Sequence, residues 1–320
     1  MSRWRVIGAL ASTITALGRG VIAGNAIAPT VELTGVTISG IESDGGVWFG
    51  EVGRCRFSRK KNRVLVDDFN LVVQPQVGSR IRFSGKHGVI GTDTSRLEGV
   101  RLHGRVEVQT EDGWTIGSDE MMLDRRHRSV RAQRGIYLSN GNIRGHADRL
   151  RADLHDRKVE LTGSVKMIVS NAPEILSNSA ASNQRIDLHL QATRLVYDID
   201  EQQMRLVDRV TMQRGDLRMA APQAVLSVDQ EPARIRSVKS RGGVRVDVGQ
   251  DWMTSERLTF VSASNALRLD GHAMIRMGES TLQGETLVYD IAERTGRIQN
   301  ATGEILGKEL DPYVRQNLRR

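Results

Sequence analysis

One cysteine, Cys55, stands among 320 residues. No intramolecular disulfide and no all-cysteine metal site can be built from it. Its neighbours Arg54 and Arg56 are of the kind that depresses a thiol pKa, although a buried, unreactive thiol is the plainer expectation. A large core manages without cross-links, so the count does not argue against export. Aromatic residues make up only 4% of the chain, which argues against glycan binding on exposed Trp and Tyr platforms. Chemistry-bearing motifs are missing as well. There is no Gly-x-Ser-x-Gly elbow, no His-Glu-x-x-His, no phosphate loop and no dinucleotide fingerprint. No catalytic residue, cofactor or resident metal is therefore expected. The seven histidines are scattered. His146 and His155 flank one hairpin and form the only candidate for a weak metal site, with surface histidines as the simpler account.

Long apolar runs are also missing. The N-terminus has a basic head (Arg3, Arg5), an apolar run from Val6 to Leu17, and Ala-x-Ala spacings at Ala9/Ala11 and Ala26/Ala28. This is the pattern of an export signal. The run falls short of the roughly 20 residues that span a bilayer. Residues 1–29 are accordingly expected to be a cleaved signal or a strained N-terminal anchor, followed by a soluble body.

Charge is unevenly distributed. Residues 1–170 hold 26 basic and 18 acidic side chains, whereas the remainder holds 20 of each. The formal excess thus lies in the N-terminal half. It fits either a solvated surface or an anionic partner. Arg59-Lys60-Lys61 and Arg125-Arg126-His127-Arg128 are the densest clusters. A nucleic-acid platform would interleave aromatics with them, and only Phe57 lies near either one.

What is abundant is period-two alternation. Ile81-Arg-Phe83, Val106-Glu-Val108, Ile136-Tyr-Leu138, Val244-Arg-Val246-Asp-Val248 and Leu267-Arg-Leu269 put apolar and polar side chains on opposite faces. Asp112-Gly113 and Asn140-Gly141 supply hairpin turns. The expectation is an all-β chain of short antiparallel strands. A ragged unit also recurs. A polar or small residue precedes Leu-x-hydrophobic with an acid nearby, as in Asp148-Arg-Leu150, Thr193-Arg-Leu195, Glu256-Arg-Leu258 and Glu285-Thr-Leu287. Such repetition indicates an array stacked along an axis. The weakly patterned stretch from Ser170 to Asn183 marks a linker. The apolar face of the array is either filled by its own side chains or left open as a groove for an extended apolar ligand.

Two further blocks carry a family resemblance. Ala192-Thr-Arg-Leu-Val-Tyr-Asp198, Val210–Met219, Gly243-Val-Arg-Val246, Ser255-Glu-Arg-Leu-Thr-Phe260 and Leu282-Gln-Gly-Glu-Thr-Leu-Val-Tyr-Asp290 resemble the lipopolysaccharide transport protein A family, which has the organic-solvent-tolerance N-terminal fold. Ser118-Asp-Glu-Met-Met-Leu123, Gly145-His-Ala-Asp-Arg-Leu150 and Val159–Lys166 are similar to the membrane-associated companion family, lipopolysaccharide transport protein C. The N-terminus departs from that companion, which usually carries a clear transmembrane anchor.

The resemblance implies two stacked open twisted β-jellyroll modules, a C-like one over 30–169 and an A-like one over 191–305. Residues 170–190 link them and 306–320 form a tail. It further implies a non-enzymatic periplasmic bridge, associated with the inner membrane, that shields the acyl chains of lipopolysaccharide. The implied partners are lipopolysaccharide, an inner-membrane ABC transporter, an outer-membrane translocon and further copies joined head to tail, with no nucleic acid. In the first module the expected groove positions are Ile81, Phe83, Val106, Val108, Ile136 and Leu138. In the second they are Leu195, Tyr197, Leu217, Met219 and Val244, followed by Val246, Leu258, Phe260, Leu287 and Tyr289. Each of these is equally an ordinary core position. Arg125, Arg126 and Arg128 are candidates for contact with lipid phosphates or an acidic partner. A closed carbohydrate-cleaving solenoid and a structural or adhesion protein remain as alternatives.

Overall fold

Alternating side chains force extended backbone, and the chain follows that pattern almost throughout. The computed structural model describes residues 31–41, 47–58, 63–74, 80–93, 96–111, 113–124, 129–153, 156–170, 187–229, 234–264, 266–291 and 295–304. The export segment, the basic clusters 59–61 and 125–128, most of the linker and the tail lie outside them. Among the described residues every regular element is a strand except one short 3-10 turn, Ser262–Ser264. No helix among them is long and apolar enough to cross a membrane.

The chain divides into two compact units, Met1–Gly141 with His146–Leu161 and Asn142–Gly145 with Thr162–Arg320. The strands of the N-terminal region are β1 (Val31–Ile41), β2 (Val47–Ser58), β3 (Arg63–Gln74), β4 (Ile81–Asp93), β5 (Arg96–Thr110), β6 (Thr115–Asp124), β7 (Ser129–Asn140), β8 (Ile143–Asp153) and β9 (Lys158–Val169). From β1 to β7 each strand pairs antiparallel with the next. The second unit continues with β10 (Leu188–Asp198), β11 (Gln203–Arg214), β12 (Leu217–Asp229), β13 (Arg234–Val248), β14 (Asp251–Val261), β15 (Ala266–Met277), β16 (Ser280–Asp290), β17 (Thr295–Gln299) and β18 (Thr302–Glu304). It too is a succession of antiparallel neighbours. A carbohydrate-cleaving β-helix would coil parallel strands, so the antiparallel succession within each unit removes the closed-solenoid alternative.

Most strands run 10 to 15 residues, far longer than the alternating runs visible in the sequence. The reason is a break in the middle. On β11, β13 and β15 two residues stand opposite one of the following even-numbered strand at Asp208-Arg209, Gly242-Gly243 and Gly271-His272. All six of these residues have positive φ. Such bulges bend the strand and raise its twist. They lie side by side in register and form a crease across the unit. The first unit repeats the device at Gly104-Arg105 on β5 and Arg134-Gly135 on β7. On the even-numbered strands opposite these bulges the alternation flips, from Ala192 to Leu195, Ala221 to Ala224 and Ser255 to Leu258, so one strand reads in the sequence as two short ones.

The crease also explains the recurring small-acid unit. Ser118, Ala147, Ala192, Ala221 and Ser255 are all buried and occupy the middle of even-numbered strands. In the register Ala221 and Ser255 lie beside the shifts at Val207/Val210 and Arg241/Val244. A bent sheet brings its inward face close to itself at the bend, and only a small side chain fits there. Ser118 and Ser255 turn their hydroxyls to the backbone, donating to the carbonyl oxygens of Glu120 at 2.8 Å and Arg257 at 2.7 Å. The following acid points outward. Glu256 meets His272 Nδ1 at 2.9 Å, and Glu285 accepts from Asn300 Nδ2 at 3.0 Å.

Candidate functional site

In the second unit the inward face is built from three cross-strand rows, each formed by directly opposed residues. The first runs Leu190, Met212, Met219, Val246, Met253, Ile275, Leu282. On the other side of the crease the second runs Leu195, Leu206, Ala224, Ser240, Leu258, Leu269, Leu287, Ile298. The third runs Tyr197, Met204, Leu226, Val238, Phe260, Leu267, Tyr289, Gly296. The rows are aliphatic and thioether almost without interruption. Tyr197, Phe260 and Tyr289 are the aromatic members, and the one serine, Ser240, rests its hydroxyl against the Met219 sulfur at 3.5 Å.

All ten positions that the sequence assigns to the groove of the second module fall on this face. Met219 and Val246 are in the first row, Leu195, Leu258 and Leu287 in the second, and Tyr197, Phe260 and Tyr289 in the third. Val244 lies at the crease opposite Ser255, and Leu217 pairs with Val248 near the hairpin end. Nine of them are buried and Tyr197 is half-buried. Other members of the rows (Leu206, Met212, Leu226, Met253, Leu269, Ile275) are not among the positions expected from the sequence. Their signal was present, because Leu195 pairs with Leu206 and Leu258 with Leu269 across hairpins.

The first unit has a shorter version. Leu71, Phe83, Val108, Ile116 and Leu138 oppose one another, and so do Cys55, Val66, Gly88, Leu102, Met121 and Ala132. Of the six expected positions, Val106, Val108, Ile136 and Leu138 are buried, whereas Ile81 and Phe83 are half-buried. Phe69, missed in the sequence because Asp68 at φ 51° breaks the alternation, fills the centre. A Cβ on Gly85 would stand 2.7 Å from its ring, so glycine is what admits the phenyl group.

Cys55 belongs to that buried row, and burial pushes its thiol up to about 11. The activation that Arg54 and Arg56 suggested therefore does not occur. Alternation turns both arginines to the other face, where Arg54 pairs with Glu32 at 3.3 Å and Arg56 with Asp67 at 3.5 Å. The hydrogen bond from His87, opposed by partial burial and aided by Arg56, holds the Asp67 carboxyl below its usual range. Tyr137 lies across Gly117 to reach Glu107 at 3.2 Å, and burial followed by that carboxylate raises its phenol. Among the described residues no group of three or more His, Cys, Asp or Glu is placed to hold a metal. His155, Arg125, Arg126 and Arg128 lie outside the described residues.

Comparison with known proteins gives two consecutive matches. Residues 56–170 match the family described as lipopolysaccharide-assembly, LptC-related. Residues 189–295 match the family described as LptA/(LptD N-terminal domain) LPS transport protein. Among solved structures, the chain is similar to LptH, the LptA-homologous periplasmic component of the lipopolysaccharide transport device of Pseudomonas aeruginosa. That match has 15% identity over 37% of this chain and 94% of LptH, with a TM-score of 0.34. No curated protein sequence matches the chain.

Proposed function

From a chain whose residues 56–170 belong to the LptC-related family and whose residues 189–295 belong to the LptA/(LptD N-terminal domain) family, we propose a single-chain segment of the periplasmic lipopolysaccharide bridge. In this reading the inward face carries acyl chains and the protein performs no covalent step. The observation that supports it most is the set of three apolar rows continuous from β10 to β16 on one face of an open sheet.

Physics sets the requirement. About 400 Å² of acyl surface left in water costs on the order of 10 kcal/mol at 25 cal/mol per Å². A continuous aliphatic surface offsets that cost at every point along it. Rows dominated by Leu, Met and Val, with Ser240, Tyr197 and Tyr289 as their few polar members, bind each position of a chain about equally well. Lipid then slides without being trapped. Methionines, four of them in the first and third rows, adapt their shape to an irregular guest. Direction must come from elsewhere, and an ATP-driven transporter at the inner membrane is the source we propose. The division we propose follows the family matches, a C-like module over 30–169 and an A-like module over 191–305, joined by 170–190. The C-like module would stand nearest the inner membrane. An outer-membrane translocon or a further copy would take the lipid onward.

Site-specific photo-crosslinking tests this. A photoreactive residue at Phe260 or Val246 is expected to give lipopolysaccharide adducts in cells, and one at the outward-facing Gln213 is not. Failure to capture lipid at several inward positions sinks the proposal.

A further inference from the structure

Formal charge in the second half of the sequence sums to zero, yet the two signs occupy different places. Acidic residues sit at hairpin ends, such as Asp198, Asp200, Glu201, Asp216, Asp229 and Asp290, or at the crease as Asp208, Glu256 and Glu285. Basic residues stand on the outward face of the strand bodies. One cross-strand row runs Arg205, Val225, Lys239, Thr259, Arg268, Val288, Arg297. Every odd-numbered strand from β11 to β17 contributes a cation to it, and every even-numbered strand between contributes Val or Thr. All four cations are exposed. At two strand spacings they recur roughly every 9.5 Å. The next row adds exposed Arg241 and Arg257 side by side on β13 and β14.

Among the described residues of these two rows, Asp270 is the one acid. It binds Arg268 at 3.1 Å and accepts from Thr286 at 2.9 Å. Among the described residues no ion pair or hydrogen bond occupies Arg205, Lys239 or Arg297. Exposed valines accompany them. Val288 lies between Arg268 and Arg297 and is 36% exposed, and Val261 on β14 is 42% exposed. Like charges arrayed on one face repel one another in the free protein, and that repulsion is relieved when an anionic surface covers them.

We propose that this outward face docks on the surface of an anionic lipid bilayer. The face is an open sheet of strands with cations spread over two rows, not a cleft tracking one line. A fluid bilayer has no fixed charge spacing, so its headgroups can move to meet such a lattice. The exposed valines reach the interface between the guanidinium groups. An acidic polypeptide would have to match the 9.5 Å repeat with a rigid pattern of its own and would leave the valines facing charge. The inward face stays available for acyl chains, so docking does not compete with transport.

The test is co-sedimentation of the full chain with vesicles free of lipopolysaccharide. One set is pure phosphatidylcholine and the other contains phosphatidylglycerol, each at low and at physiological salt. The protein is expected to bind only the anionic vesicles, more weakly as salt rises. Replacing Arg205, Lys239 and Arg297 together by Gln is expected to weaken binding about fivefold per charge, on the order of a hundredfold in all. Replacing Arg54, Arg82 and Arg101 of the first unit by Gln removes the same charge and is expected to leave binding within a few fold. Equal loss in both triple variants, or no loss in the first, overturns the proposal. So does tighter binding to soluble polyglutamate than to anionic vesicles, which would assign the face to an acidic protein. Melting curves confirm that both variants fold. Crosslinking of lipopolysaccharide from Phe260 is unaffected by either result, so this proposal and the transport reading fail separately.

Discussion

The two units use the same crease but treat their outward cations in opposite ways. In the first, acids share the face with the bases. Arg54 has Glu32, Arg56 and His87 have Asp67, and Arg101 has Glu120 at 3.8 Å. In the second, acids lie toward the strand ends and the crease, where Asp247 takes Arg245 at 2.8 Å and Asp270 takes Arg268 at 3.1 Å, and among the described residues Arg205, Lys239 and Arg297 have no such partner. Counting charges along the chain points the other way, since the excess lies before residue 170. Much of that excess belongs to the export segment and to 59–61 and 125–128, outside the described strands. Net charge is a sum over a chain, whereas a field depends on which side chains share a face. The inward faces differ as well. Ile81 and Phe83 are half-buried in the first unit, while Leu258, Leu269 and Leu287 of the second are at most 2% exposed.

That difference in burial predicts the largest effects. Leu269→Ala or Leu287→Ala is expected to cost about 2–5 kcal/mol, because each removes fully buried atoms from the middle of a row. Phe83→Ala is expected to cost less than half as much as Phe260→Ala. Denaturant titration reads both, and equal costs would erase the distinction between the inward faces. Next in size are the crease positions. Gly242→Ala and Gly271→Ala place a Cβ at φ +91° and +81°, and at Gly271 it would also meet the Glu256 carboxylate. Each is expected to destabilise by about 1–2 kcal/mol. At Arg209, with φ 52°, the reverse change Arg209→Gly is expected to be neutral or mildly stabilising. The smallest effect concerns acid. The Asp67 carboxyl is held low, so its contribution is present above the ordinary carboxylate pKa and is lost as pH falls through its lowered value. His87→Asn removes the leading cause of that lowering. The onset of acid unfolding should then move to higher pH, and an unchanged onset would deny the pair any role.

The strand content and the buried apolar face of the second unit were legible because hydrophobic alternation is unbroken for four to six residues on either side of each bulge. Leu195, Phe260 and Tyr289 could be placed from that alone. What could not be read was that two such stretches form a single strand. A positive-φ residue such as Asp208, Arg209 or Asp68 carries no sequence mark when it is not glycine; the first two interrupt the alternation of β11, and Asp68 reverses it in β3, from Val66 to Phe69. Phe69 was lost for that reason, behind Asp68. The basic outward row was hidden for another. Arg205, Lys239, Arg268 and Arg297 are spread over 93 positions of the chain, and only the register makes them neighbours.

The crease makes the second unit resemble a polymer whose monomer is one hairpin. Every hairpin from β10 to β15 brings its own small residue and its own bulge, and none needs a partner further than the next strand. Such a material has no intrinsic length. Inserting one hairpin lengthens the apolar face by roughly 9.5 Å and shifts no contact elsewhere in the unit. The distance this sheet can cover is thus set by copy number, and evolution or design can adjust it as a tailor lets out cloth.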